Sequence, residues 1–160
     1  GLDISSKGTN NIELQKKIFE SIVNECAKVG NKIISIHSRK TDDIIFDFLK
    51  RSSCIYIMHW YTGNIKRLLN AMSSDDNIYV SINSDMVHSY NSRKLIEAVP
   101  LSRMVLETDA PFTAKTKNEY PKQILNDIVI EIAKIKKIER LQVLKTISDN
   151  SRKILSIQER

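Results

Sequence analysis

Three residues able to ligate a metal ion stand at the ends of three apolar runs. His37 follows Lys32–Ile36, His59 follows Cys54–Met58, and Asp109 stands three residues past Met104–Leu106. Two neutral imidazoles and a carboxylate make a borderline-hard ligand set suited to Zn²⁺ or Mn²⁺. Short apolar runs of this kind read as strands buried in a parallel sheet. The C-terminal ends of such strands point into one mouth, where α/β enzymes carry their active sites. The competing reading is three polar caps on a solvated rim. A metal site predicts that the side chains of His37, His59 and Asp109 converge within one coordination shell.

The elements that must hold these residues alternate along the chain. Apolar residues at three- and four-residue spacing predict a helix over Asn11–Val29, with Gly30 just past its end. Thr41 is placed to cap a helix over Asp42–Arg51. Further helices are predicted over Asn64–Met72 and, more loosely, Ser92–Val99. Ile78–Ile82 reads as another strand, and Gly1-Leu2-Asp3 as the end of a fifth. The tail carries Ile124, Leu125, Ile128, Val129, Ile132 and Ala133 on one helix face. A short helix over Glu139–Ile147 and another over Asn150–Ile157 follow. Strand and helix thus recur as βα units around a parallel sheet. No linker divides the chain, so residues 1–160 are read as one domain.

The 160 residues suffice for one sizeable core. No run of about eighteen apolar residues is present, which excludes a membrane-spanning helix. Cys26 and Cys54 lie in apolar stretches and do not form a disulfide framework; buried free thiols fit a reducing, cytoplasmic setting. Lys plus Arg number 25 against 19 Asp plus Glu, a formal charge of +6. That balance assists binding to a polyanion without identifying one.

Several segments resemble the TatD family of metal-dependent deoxyribonucleases. Ile36-His37-Ser38-Arg39 resembles its His-Ser-Arg strand end. His59-Trp60-Tyr61-Thr62-Gly63 resembles its His-aromatic/Cys-aromatic-Ser/Thr-Gly segment. Val99-Pro100-Leu101-Ser102-Arg103 with Leu106-Glu107-Thr108-Asp109-Ala110-Pro111 is similar to its Pro-Leu-Asp-Arg and Glu-Thr-Asp-Ala-Pro block, the most specific piece. Gly1-Leu2-Asp3 resembles the tail of a Glu-Ile-Gly-Leu-Asp motif. Gln15 falls where the family places a glutamine, and Asn150-x-Arg152 sits near the end, as in the family. The matches run in order across the whole chain.

The resemblance implies an amidohydrolase-type TIM barrel, a (β/α)8 fold of which this chain is the C-terminal part. It implies hydrolysis of DNA, often as a 3′-to-5′ exonuclease acting on single-stranded or 3′ ends. It also implies two divalent metal ions, Mg, Mn or Zn. His37 and His59 match the family's later histidine ligands, and Asp109 its aspartate, which also takes up the proton of the attacking water. The family's His-x-His pair and a glutamate have no counterpart here. A full barrel has about 250 residues, so about 90 are expected before Gly1, or their strands on a partner chain. Glu107 is read as orienting a histidine from outside the ligand shell, or as a strand-end ion pair. Arg39 is placed to pair with a phosphate, and Trp60 or Tyr61 to stack on a base. Lys115 and Lys117 are candidate backbone contacts. His88 reads as a surface loop residue, and Asp42 and Asp43 as first-turn helix acids. Two other functions share these features: a small-molecule hydrolase of the amidohydrolase type, and a non-catalytic TatD-like subunit of a multiprotein, for example anti-phage, complex.

Overall fold

The computed structural model describes residues 1–5, 11–50, 52–113 and 120–156. Five strands alternate with helices, and the observed strand pairings are parallel. The expectation of an α/β fold built from βα units is met. No helix among the described residues is long and apolar enough to cross a membrane. Backbone contacts divide the chain into two compact units. One comprises Gly1–Tyr79 with Ile154–Arg160, the other Val80–Lys153.

The first unit holds β1 (Leu2–Asp3), α1 (Ile12–Val29), β2 (Ile33–Arg39), β3 (Ile55–His59) and α2 (Ile65–Ser74). Helix α1 begins where the Asn11 side chain accepts the Leu14 N–H and ends at Gly30, whose φ of 72° is one that glycine adopts without strain. Its buried residues are Phe19 and Val23, and Phe19 meets Phe48 edge to face with centroids 5.8 Å apart. In β2, Ile36 and Ser38 are buried while Ser35, His37 and Arg39 are exposed, the alternation of a pleated strand. β3 pairs with β2 in the register Ile36↔Met58 and His37↔His59, so Ile36 and Met58 share the buried face. The Tyr56 N–H donates to the Asn77 carbonyl at 2.9 Å.

The second unit takes up the end of β4 (Ile78–Ile82), then α3 (Ser84–His88), α4 (Tyr90–Ala98), β5 (Met104–Leu106), α5 (Pro121–Lys136) and most of α6 (Arg140–Leu155). Strand β4 is buried at every position, as expected of a strand covered on both faces. Its core includes Met86, Leu95, Ile96, Ile124, Ile128 and Ile132, each at most 2% exposed. Pro121 starts α5, where a missing N–H costs nothing.

Four local expectations are corrected. Among the described residues of the expected 42–51 helix, 42–50 form no α-helix; a 3-10 turn over Ile45–Phe48 stands there instead. The Thr41 hydroxyl bonds the Leu2 carbonyl, and the Asp42 carboxylate accepts the Asn64 N–H, so neither serves a helix start. His88 lies in α3, not in a loop; Asn83 caps that helix by accepting from the Asp85 and Met86 N–H groups. The tail is one continuous helix from Arg140 to Leu155. Its polar stretch does not break it, because Asp149 pairs with Arg152 and Lys145 on the same helix while Asn150 turns inward. Cys26 is half-buried, whereas Cys54 is buried as expected; both are free thiols.

Asn150 explains its own motif. Its amide donates to the Leu101 carbonyl at 2.9 Å and the Met104 carbonyl at 2.8 Å, fixing α6 to the start of β5. Asn150→Ala removes both of these bonds, although the Leu101 carbonyl keeps the Met104 N–H, and should cost roughly 1–3 kcal/mol. Urea unfolding checks this; a loss below about 0.5 kcal/mol, the usual range of surface substitutions, contradicts it.

Candidate metal site

Strands β2 and β3 bring their histidines together. The register pairs His37 with His59 directly across the two strands. Residues opposite one another on neighbouring strands project to the same face. Both imidazoles therefore stand on the face opposite Ile36 and Met58. His37 lies within its strand, two residues before the end, and His59 closes its strand.

A second layer of contacts locates His37. Its Nε2 lies 3.2 Å from Asp3 Oδ2. The other carboxylate oxygen, Asp3 Oδ1, accepts the Ser5 N–H at 2.7 Å. The Asp3 carboxyl is held below the usual carboxylate range, chiefly by the Ser5 side chain, with the Ser5 N–H and His37 adding to it against the opposing effect of burial. Strand β1 pairs Leu2 with Ser38 and Asp3 with Arg39, and the Ile4 N–H bonds the Arg39 carbonyl. Gly1 is pressed against the backbone of His37: a Cβ there would fall 2.1 Å from the His37 carbonyl oxygen. A side chain is excluded at that point, which accounts for the glycine of Gly-Leu-Asp.

The segment after His59 is shaped by burial and close approach. Trp60 has φ 41°, in the left-handed region that a bulky residue rarely adopts, and turns the chain sharply off the end of β3. Tyr61 is fully buried and donates its hydroxyl to the Asn64 carbonyl at 3.0 Å. Burial and the Asp42 charge push its phenol well above the ordinary value. A Cβ on Gly63 would lie 2.5 Å from Asp42 Cβ and 2.7 Å from the Tyr61 hydroxyl. Of the two aromatic residues, then, Tyr61 is core, and Trp60, half-buried, retains exposed surface. Arg39 is exposed.

The remaining site residues lie in the second unit. Glu107 accepts from the Ser81 hydroxyl at 2.5 Å and from the Asn83 amide at 3.2 Å. Its own N–H bonds the Ile82 carbonyl, continuing the β4–β5 ladder. Asp109 stands three residues past β5 with φ 50°, and its carbonyl accepts the Phe112 N–H at 2.7 Å. Thr113, buried, donates its hydroxyl to the Thr108 carbonyl at 3.0 Å. The turn carrying Asp109 is thus pinned on both sides. Lys115 and Lys117 lie outside the described residues. Among the described residues, no group of three or more His, Cys, Asp and Glu side chains is gathered closely enough to hold a metal ion. The donor set fits a metal at the His37–His59 pair, which offers two nitrogen ligands on one face.

Over residues 1–156 the sequence matches the family described as TatD related DNase. The chain belongs to the TatD family. It is 32% identical over 154 residues to the uncharacterized metal-dependent hydrolase MJ1582 of Methanocaldococcus jannaschii, covering 94% of this chain and 58% of that protein. It is 24% identical over 170 residues to the human 3′-5′ RNA nuclease TATDN2, covering 98% of this chain and 22% of that protein. The chain therefore spans little more than half of the archaeal relative and about a fifth of the human one. Its fold is similar to that of YJJV, a TatD homologue of Escherichia coli K12, with TM-score 0.77 at 16% identity, covering 99% of this chain and 61% of that one.

Three contributors, Asp3, Ser81 and Asn83, escaped the sequence reading. Asp3 was assigned no role, although Asp3-Ile4-Ser5 has the spacing at which an aspartate accepts the N–H two residues on. Ser81 and Asn83, which grip Glu107, sit in a run that read only as strand and loop. The lowered Asp3 pKa has a consequence for stability. A carboxylate depressed on folding contributes stability that is complete above its unfolded value of about 3.9, and loses it as pH falls through the lower folded value. Metal-free Asp3→Asn should thus be less stable than the parent at pH 7, with the gap closing below about pH 4. Urea midpoints measured across that range in EDTA check it; a gap independent of pH would show that the Asp3 charge is not the cause.

Proposed function

We propose that this chain is the C-terminal part of a TatD-type, metal-dependent nuclease that hydrolyses phosphodiester bonds in DNA at single-stranded or 3′ ends. The observation that carries the reading is the His37↔His59 register, which sets two imidazoles side by side on one face in the C-terminal halves of adjacent parallel strands. Family membership and a metal-dependent hydrolase among the relatives support it. His37, His59 and Asp109 act as ligands to divalent metal, with two ions of Mg, Mn or Zn in the whole protein. When bound, such ions supply Lewis acidity and acidify a water molecule. The other ligands, a His-x-His pair and a glutamate, come from a segment before Gly1 or from a partner chain.

The remaining residues bind and orient. The Asp109 carboxylate accepts the proton of the attacking water, and its pinned turn keeps it in place for that. Glu107, fixed by Ser81 and Asn83, orients a histidine ligand. Arg39 pairs with a phosphate oxygen and Trp60 offers a face to a base. The positive formal charge of +6 favours approach of a polyanion.

In the complete protein Asp109→Asn should abolish hydrolysis of a 3′-labelled single-stranded oligonucleotide, by about 100-fold or more, while leaving the urea midpoint within the range of a surface substitution. Near-parental turnover at saturating Mg²⁺ or Mn²⁺ contradicts the ligand role. A second expectation concerns the isolated chain Gly1–Arg160. It should be inactive on the same substrate, and activity should return when the segment carrying His-x-His and Glu is added in cis or in trans. An active, monomeric Gly1–Arg160 chain would show that its own residues complete the site.

A further inference from the structure

We infer that Gln15 is a positioning residue for His37: its amide stands in for a neighbouring strand at Asp3 and so fixes the carboxylate that orients the imidazole. The backbone geometry carries the inference. In a paired strand, successive residues present their N–H and C=O to opposite edges. The Ile4 N–H bonds the Arg39 carbonyl, so the Ile4 edge faces β2. Asp3, one residue earlier, presents its N–H and C=O to the other edge. There the Asp3 N–H donates to Gln15 Oε1 at 2.9 Å, and Gln15 Nε2 donates to the Asp3 carbonyl at 3.1 Å. A primary amide has one donor and one acceptor set side by side, the pair a strand would present. Among the side chains, only Asn and Gln offer this match, and from α1 only the longer one reaches across to β1.

The clamp has two consequences. It closes the edge of β1 at Asp3, so any strand pairing on that side must end at or before Leu2. It also immobilises the Asp3 backbone, leaving the carboxylate with one orientation: Oδ1 on the Ser5 N–H and Oδ2 on His37 Nε2. An ionised carboxylate only accepts, so Nε2 carries a proton, and in the neutral imidazole Nδ1 is then the nitrogen that keeps its lone pair. Gln15 therefore selects which His37 nitrogen is free to bind a metal, without touching the ring. The metal part of this statement rests on the proposed site; the orientation of the imidazole does not.

Gln15→Met tests it, because methionine keeps the length and the helix preference of glutamine and removes both hydrogen bonds. The first readout is the ¹⁵N shift pair of the His37 ring in the metal-free full-length protein at fixed neutral pH. The parent should show a single Nε2–H tautomer, and Gln15→Met a shift toward the averaged values of a free histidine. Gln15→Glu keeps the acceptor for the Asp3 N–H and loses only the donor; it should fall between the two, and it serves in place of Gln15→Met should that variant not fold. The second readout is the Mn²⁺ dissociation constant by calorimetry, expected to weaken about 10-fold or more in Gln15→Met. Unchanged ring shifts in folded Gln15 variants overturn the inference. A parent that binds no Mn²⁺ defeats the metal-site proposal instead, and the ring shifts still decide the role of Gln15.

Discussion

Parallel pairing of β2 and β3 without a slip is the constraint on which the site depends. The phase of each strand is set by what it buries: Ile36 and Ser38 on β2, Tyr56 and Met58 on β3, with Ile36, Tyr56 and Met58 fully buried. Because side chains alternate with period two, that burial obliges His37 and His59 to occupy the opposite face. A slip of one residue would turn the apolar set of one strand outward, and burying a side chain the size of Ile or Met is worth about 1.5–3 kcal/mol each. The histidines are thus presented together because the residues beside them cannot be.

In each unit the chain gives up ordinary backbone preferences just after a strand. Trp60 and Asp109 both carry positive φ, at about 1–2 kcal/mol each for a residue with a side chain. Trp60 directly follows the candidate ligand His59 at the end of β3, and Asp109 is itself a candidate ligand, three residues past β5. Such conformations persist only where the surroundings over-determine them. Here the surroundings are the buried Tyr61 with its bond to the Asn64 carbonyl, and the Thr113 and Phe112 bonds that brace the Asp109 turn. Gly1 and Gly63 serve the same end by different means: each lies where a Cβ would strike a neighbour.

Much of the arrangement was legible from residue order alone. The strands appear as short apolar runs because parallel strands are covered on both faces, and the ligand candidates stand out because they interrupt those runs. Even the two-residue β1 is marked by Gly1-Leu2-Asp3. What escaped prediction depends on contacts remote in sequence. Residues 42–51 have helical spacing, but Asp42 is taken by Asn64, 22 residues further along the chain, and by Arg67. The Ser148-Asp149-Asn150 stretch reads as a break, yet α6 runs through it because Asn150 finds two carbonyls near β5. Asp3 became significant only once β1 was seen beside β2, since its partner lies 34 residues away. The holders of Glu107, Ser81 and Asn83, belong to the preceding βα unit and carry no signal of that contact in the sequence.

The central claim is that the His37–His59 face binds metal. Crystals of the full-length gene product soaked in Zn²⁺, with anomalous difference maps recorded on either side of the zinc edge, test it most directly. The expected result is a peak bonded to one ring nitrogen of His37 or His59, or of both, at about 2.0–2.1 Å. Absence of any peak at these imidazoles under saturating metal, or a peak held wholly by residues elsewhere, would contradict it.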